Sequence, residues 1–159
     1  MFRIGQGFDL HRTVSGRPLR LGGVTIPTDN WGLDGHSDAD ALLHAITDAF
    51  LGALALGDIG QMFPDNDPRS LNADSRELLK AALARPEFQG WTLCNLDCTV
   101  FAEAPKLAPH KTAIRESLAG LLSCPMERIS VKAKTNEKQD AIGAGKAIAA
   151  AAIILLEKN

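Results

Sequence analysis

The chain contains no tyrosine, and two tryptophans and six phenylalanines are its only aromatic residues besides histidine. Base-stacking surfaces need such rings in number, so single-stranded nucleic acid is not an expected ligand. An excess of one charge is also missing. Seventeen Lys and Arg against nineteen Asp and Glu give a formal net charge of -2, which is not the basic balance of a polyanion-binding surface. Cysteine is scarce, with only Cys94, Cys98 and Cys124. The number is odd and no C-x-x-C occurs, which disfavours a disulfide framework and a four-cysteine zinc site. Cys94 and Cys98 on one strand would stand about 13 Å apart, too far for a bridge. A reduced, cytoplasmic chain is the simplest reading. The apolar run from Ala147 to Leu156 is too short to span a bilayer, so no membrane partner is expected. A strand-like segment starts at Phe2, so no signal or transit peptide is expected either.

At 159 residues the chain suits a single domain, residues 1–159, with a real core. Phe2 to Leu10 reads as a strand punctuated by Gly5 and Gly7, where a bulge or the close approach of a ligand or another backbone is expected. Leu19–Leu21 and Val24–Ile26 flank Gly22-Gly23, a hairpin signal. A helix follows, with Ser37 as its expected cap and Asp40 as the reciprocal partner. Leu42, Ile46, Phe50 and Leu54 form its buried stripe, and Asp40, His44 and Asp48 recur on another face. Gly57 to Pro68 reads as a long loop anchored by Ile59, Met62 and Phe63. A second helix runs from about Asp74 to before Pro86. In Trp91 to Phe101, a strand, Cys94, Leu96, Cys98 and Val100 share one face. After a rigid turn at Pro105 to Pro109, a third helix reaches about Leu122. Ile129 to Thr135 is a strand and Gln139 to Gly145 a loop. Lys146 to Leu156 is ambiguous, because its alanines favour helix and Ile153-Ile154 favour strand. Strands alternating with helices predict an α+β fold, an α/β sandwich with a mixed β-sheet and helices packed on one face.

The chemistry-bearing residues concentrate near the N-terminus. On a strand, Asp9 and His11 point the same way. They are either two metal ligands on one rigid element or a surface carboxylate beside a hydrogen-bonded histidine. His44, on a helix that must cross that sheet, is the candidate third ligand. A catalytic zinc uses three protein ligands and leaves a fourth position open. Asp48, one turn on, is placed to orient the His44 imidazole through its other nitrogen. His36 and Ser37, just before the helix, suit a phosphate at its N-terminal amides. Alternatively, His36 and His44 are unrelated surface residues.

Several segments occur together in one order: Gly7-Phe8-Asp9-Leu10-His11; Gly22-Gly23-Val24-Thr25-Ile26-Pro27; His36-Ser37-Asp38-Ala39-Asp40 with Leu43-His44 and Asp48; Gly57-Asp58-Ile59-Gly60 with Phe63 to Pro68; Ala104-Pro105-Lys106 with Pro109-His110; and Lys132 to Lys138. On these segments the chain resembles the 2-C-methyl-D-erythritol 2,4-cyclodiphosphate synthase family over essentially its full length. The resemblance implies a homotrimer with active sites between subunits, and a lyase reaction of the non-mevalonate isoprenoid pathway. In that reaction 4-diphosphocytidyl-2-C-methyl-D-erythritol 2-phosphate closes to the cyclic diphosphate with release of CMP. It implies zinc on Asp9, His11 and His44, and a second divalent ion, magnesium or manganese, near Glu137. His36 and Thr135 would hold or polarise phosphate, with Ser37 beside them. Asp58 and Gly60 would meet ribose, Asp65 and Asp67 would lie near the methylerythritol part, and Ile59, Phe63, Pro64 and Asn66 would also bind substrate. Ala102, Glu103, Ala104, Pro105, Lys106, Leu107 and Ala108, with Ala133, Lys134 and Thr135, would form the cytosine pocket.

Some positions depart from the commonest bacterial pattern of the family. Gln6 stands where histidine is frequent. Ala141, Ala144 and Lys146 stand where many members have the phenylalanine, arginine and glutamate that line the trimer channel, so the implied binding of isoprenoid diphosphates there is not carried over. The family's last segment is a strand, which favours strand for Lys146 to Leu156. From residue chemistry alone, the alternatives are a zinc-dependent phosphoesterase and a non-catalytic trimeric binding protein with a structural metal.

Overall fold

Glycines at alternate positions of the first strand let a helix lie directly on it, and the rest of the chain packs around that pair. The computed structural model describes residues 1–64 and 72–158. Strand β1 (Phe2–Ser15) turns through the hairpin β2 (Leu19–Leu21) and β3 (Val24–Ile26) into β4 (Trp31–Leu33). Gly22 and Gly23 both have positive φ, as a two-residue hairpin turn requires. Helix α1 (Ala41–Ala53) is followed by a helical turn, α2 (Ile59–Met62), and by α3 (Ser75–Leu83). Then come β5 (Trp91–Phe101), α4 (Lys111–Leu122), β6 (Ile129–Lys134), a short α5 (Asp140–Gly143) and β7 (Ala147–Lys158).

The main sheet has the order β4-β1-β7-β5-β6. Among the described residues only β5 and β6 are parallel, joined by the crossover through α4; the other pairs are antiparallel. The expected mixed sheet is present, with α1, α3 and α4 sharing the core on one face; the short α5 departs from the expectation and packs on the other face, where Ile142 meets Phe101, Ala147 and Ala149. The C-terminal run is a strand paired on both sides, where Ile153 and Ile154 fit the pleat and the alanines leave room for α1.

Helix α1 is buried on nearly every side, with ten of its thirteen residues inaccessible. A Cβ on Gly5 would sit 1.8 Å from the Ala49 carbonyl oxygen, and one on Gly7 would sit 1.9 Å from that of Ala45. The close approach expected at these glycines is therefore that of another backbone.

Four local expectations need correction. Ser37 does not cap α1. Asp40 does, accepting the Leu43 N–H at 3.0 Å, and its carboxylate also takes the Gly22 and Gly23 N–H groups at 2.9 and 2.7 Å. Burial pushes the Asp40 carboxyl pKa up, against the pull of those three amides. Second, a bulge between Leu93 and Asn95 turns Leu93 into the core, so Cys94 leaves the face shared by Leu96, Cys98 and Val100. Third, Asp58 caps the turn α2 inside the Gly57 loop. Fourth, α5 occupies the Gln139 to Gly145 loop.

The sheet face away from α1 is apolar and, beyond the end covered by α5, open. It carries Phe2, Ile4, Phe8 and Leu10 from β1 and Ile153 from β7, with Ile4 70% exposed and Phe8 54%. Gly7→Ala should destabilise the chain by about 1–3 kcal/mol or more, because the added methyl meets a backbone oxygen. Gly120→Ala, in open space on α4, should stabilise it by about 0.5–1 kcal/mol. Urea unfolding of the two variants measures both effects.

Candidate active site

Residues on the inner face of β1 alternate Gly5, Gly7, Asp9, His11, so the strand passes from contact with α1 to a pair of polar side chains. Asp9 Oδ2 lies 2.8 Å from His11 Nε2, and His44 Nδ1 lies 3.0 Å from Asp9 Oδ2 and 3.1 Å from His11 Nε2. The three expected ligands thus converge, and among the described residues they form the one group able to hold a metal ion. Side-chain exposure is 25% for Asp9, 19% for His11 and 12% for His44, so water screens the cluster only in part.

The ring geometry fits a metal. His11 Nδ1 lies 2.7 Å from the Asp34 backbone oxygen. A carbonyl can only accept, so Nδ1 carries the proton and Nε2 presents a lone pair to the cluster. Asp34 is itself held by Arg12, through Nε at 2.7 Å and the guanidinium NH2 at 2.6 Å. Oxygen and imidazole donors with one side open to a cavity are ordinary zinc ligation. Burial, the largest single influence on Asp9, pushes its pKa up, yet the hydrogen bonds and charges of His11 and His44 overcome this and hold it far below the usual carboxylate range. Burial likewise works against the His11 imidazolium, and Asp9 outweighs it, raising the His11 pKa.

The cluster forms one wall of a cavity of about 190 Å³. His36, Ser37, Ile59, Gly60, Phe63 and Leu78 complete the lining. His36 is exposed at the rim. Ser37 is buried, and its Oγ accepts the Ala39 N–H and lies 3.1 Å from His44 Nε2. Asp58 is exposed beside Gly60 and caps α2 by accepting the Gln61 N–H at 2.8 Å. Pro64 is exposed at the end of this segment. Asp65, Asn66 and Asp67 lie outside the described residues.

Asp48 does not orient the His44 ring. Its Oδ1 accepts the Ile59 N–H at 2.7 Å, and so fastens α2 to α1. The second nitrogen of His44 instead meets Ser75 Oγ, at 2.9 Å on the first turn of α3. One turn along α1, Asp48 faces the α2 loop while the imidazole turns across to β1 and α3. Arg17 was not among the sequence candidates. Its guanidinium bonds the Gly35 carbonyl at 2.7 Å and the Ser37 carbonyl, bracing the backbone beside His36. Neither Ser75 nor Arg17 stands in a spacing pattern that would have singled it out.

The other candidate residues lie elsewhere on the chain. Ala102 is buried and its N–H bonds the Lys134 carbonyl at 2.9 Å. Glu103 and Leu107 turn partly or wholly inward, while Ala104, Lys106 and Ala108 are exposed. Ala104 and Pro105 line a separate cleft with Thr28 and Trp31. Ala133 and Lys134 end β6, and Thr135 Oγ1 donates to Glu137 Oε1 at 2.7 Å on an exposed turn. Three strand spacings separate β1 from β6, or about 14 Å. Within one chain the structure therefore does not bring these residues to the Asp9–His11–His44 cavity.

The YgbB family model matches residues 2–157. Over 158 residues the chain is 56% identical to a 2-C-methyl-D-erythritol 2,4-cyclodiphosphate synthase of Paraburkholderia phytofirmans, covering 99% of each chain. It superposes on a solved 2C-methyl-D-erythritol-2,4-cyclodiphosphate synthase in a CDP-bound form with a TM-score of 0.88 and 42% identity, covering 98% of this chain and all of that one. The bifunctional IspDF of Campylobacter jejuni matches all of this chain with a TM-score of 0.92 and 41% identity, and the chain spans 43% of that protein.

The two shifted groups of the cluster have opposite pH signatures. Asp9, with its pKa below 3.8, contributes stability that is present above 3.8 and lost as pH falls through the folded value. His11, with its pKa above 6.5, contributes stability that is full below 6.5 and lost as pH rises through the folded value. The metal-free chain should therefore lose thermal stability as pH rises above about 6.5. Ligation needs neutral imidazole, so the stabilisation given by added zinc should grow over the same interval. Melting curves with and without zinc measure this.

Proposed function

The chain belongs to the YgbB family, the 2-C-methyl-D-erythritol 2,4-cyclodiphosphate synthases, and from that premise we propose how its residues divide the work. The enzyme converts 4-diphosphocytidyl-2-C-methyl-D-erythritol 2-phosphate to the 2,4-cyclodiphosphate and CMP in isoprenoid synthesis. An oxygen of the 2-phosphate bonds to the β-phosphorus as the bond from that phosphorus to the CMP oxygen breaks, so the protein supplies no nucleophile. We class it as a phosphorus–oxygen lyase, a single domain over residues 1–159, acting in the cytoplasm. Among the described residues, no helix is long and apolar enough to cross a membrane.

The observation that carries the assignment of roles is the convergence of Asp9, His11 and His44 on one wall of the cavity. These three residues hold zinc. When bound, zinc neutralises charge on a phosphate oxygen as a Lewis acid. Glu137 holds the second divalent ion, magnesium or manganese, by its carboxylate. His36 and Thr135 bind phosphate oxygens and stabilise the charge that develops at the β-phosphorus. Ser37, Ile59, Gly60 and Phe63 shape the cavity around the diphosphate and ribose, with Asp58 and Pro64 at its edge. The roles near the methylerythritol part fall to Asp65, Asn66 and Asp67. Ala102 to Ala108, with Ala133 and Lys134, hold the cytosine. Folding the substrate back on itself brings the two phosphates into attack distance, a positioning effect that acts beside the electrostatic stabilisation.

Thr135, Glu137 and the cytosine segment stand apart from the metal ligands of their own chain, and the sheet face away from α1 is apolar. Both support a homotrimer in which each active site is built across a subunit boundary, with the face bearing Ile4, Phe8 and Ile153 at the interface.

Incubation with the diphosphocytidyl substrate should give CMP and a cyclic diphosphate; a linear phosphate product would mark the protein as a phosphoesterase. His44→Ala should lose zinc and at least about 10²-fold in kcat while keeping its oligomeric mass; full activity in that variant overturns the ligand assignment. Light scattering should give the mass of three chains. Phe8→Lys should dissociate the trimer and abolish activity with the fold retained by circular dichroism. A monomeric parent, or an active monomeric variant, refutes the shared site.

A further inference from the structure

Ser75 is fully buried on the first turn of α3. Its Oγ donates to Asp38 Oδ1 at 2.5 Å, and its backbone N–H reaches Asp38 Oδ2 at 3.3 Å. A serine hydroxyl has one proton, and an ionised carboxylate can only accept. With that proton committed to Asp38, the Ser75 oxygen can only accept from His44 Nε2, which lies 2.9 Å away. Nε2 therefore carries the imidazole proton, with Ser75 Oγ as its nearer acceptor and Ser37 Oγ, at 3.1 Å, as a second. Nδ1 is left with its lone pair, aimed at Asp9 Oδ2 and His11 Nε2.

We propose that Asp38 and Ser75 are positioning residues that hold His44 as its Nε2–H tautomer and so commit Nδ1 to the metal. The inference rests on the metal-site reading above. Asp34 plays the matching part for His11 through its backbone carbonyl, so each imidazole is oriented from outside by a different partner. Capping and chain ties at this point are also made by other groups. Asp74 is the residue that caps α3, and the 36–38 segment is already tied to the chain before α3 by backbone bonds from Asn72 N–H to the His36 carbonyl and from Asp38 N–H to the Ala73 carbonyl.

Two variants of the full chain separate orientation from simple support. Ser75→Ala removes the nearer acceptor and leaves only Ser37 Oγ at 3.1 Å. Asp38→Asn keeps the shape but lets the new amide donate to Ser75 Oγ, which releases the serine proton toward His44 Nε2 and favours the wrong tautomer. Zinc affinity, measured by competition with a chromophoric chelator, should fall about 10- to 100-fold in each. The double variant should be no worse than Ser75→Ala alone, because without the hydroxyl no proton is misdirected. Independent structural roles would instead make the two losses multiply. Long-range 15N NMR of the zinc-loaded parent should show Nδ1 of His44 metallated and Nε2 protonated. A protonated Nδ1 in the parent overturns the inference, as do multiplying losses or affinities within about twofold of the parent in both single variants. A parent that binds no zinc overturns the metal reading with it; zinc bound through Nδ1 but indifferent to both variants overturns this inference alone.

Discussion

The contact that sets the geometry is between backbones: the carbonyls of Ala45 and Ala49 on α1 occupy the space that side chains at positions 7 and 5 of β1 would need. A helix normally stands off a sheet by the thickness of two side-chain layers. Here one layer is missing for two successive inward positions. The next two inward positions, Asp9 and His11, therefore lie close enough to α1 for His44 to reach them. Alanines at 45, 49 and 53 on α1, and at 150 and 152 on β7, belong to the same close packing. Methyl groups suffice where the elements already nearly touch.

Asp40 works at the other end of α1. Its carboxylate is buried and takes amides from both the helix start and the β2–β3 turn. A buried acceptor with three donors is satisfied, and leaving any of those amides unpaired would cost about 1–3 kcal/mol. The hairpin is thereby fastened to the helix, and the 34–38 segment between them is held taut by Arg17 and Arg12. That segment supplies His36, Ser37 and the carbonyl that orients His11. The half-buried cluster gathers one carboxylate and two imidazoles whose lone pairs face one another. Such a cluster favours a cation at its centre, be it a proton or a metal, and the raised His11 pKa expresses that preference in the metal-free chain.

Much of this was legible in the sequence. Gly22-Gly23 marked the hairpin, alternation marked β1, β5 and β6, and the spacing of Leu42, Ile46 and Phe50 marked α1. Asp9 and His11 share a face because strand side chains alternate, and no tertiary contact is needed to know it. The role of the alanine-rich C-terminal segment was not legible locally, since its residues suit helix as well as strand. Its conformation follows from pairing with β1 and β5 over its whole length. The inward turn of Leu93 was likewise hidden, because a bulge shifts the alternation without changing composition.

The sequence by itself determined which residue types could meet a divalent ion and on which faces of their own elements they stand, because those follow from the periods of strand and helix. Only the tertiary structure decided what stands behind each ligand. Ser75 lies 31 positions from His44 in the chain and Asp34 lies 23 from His11, so no local period connects them. The same holds for Asp48, which a helical period places one turn from His44 and which the fold assigns to the Ile59 amide. A period fixes directions within one element, whereas a hydrogen bond between elements depends on how they pack.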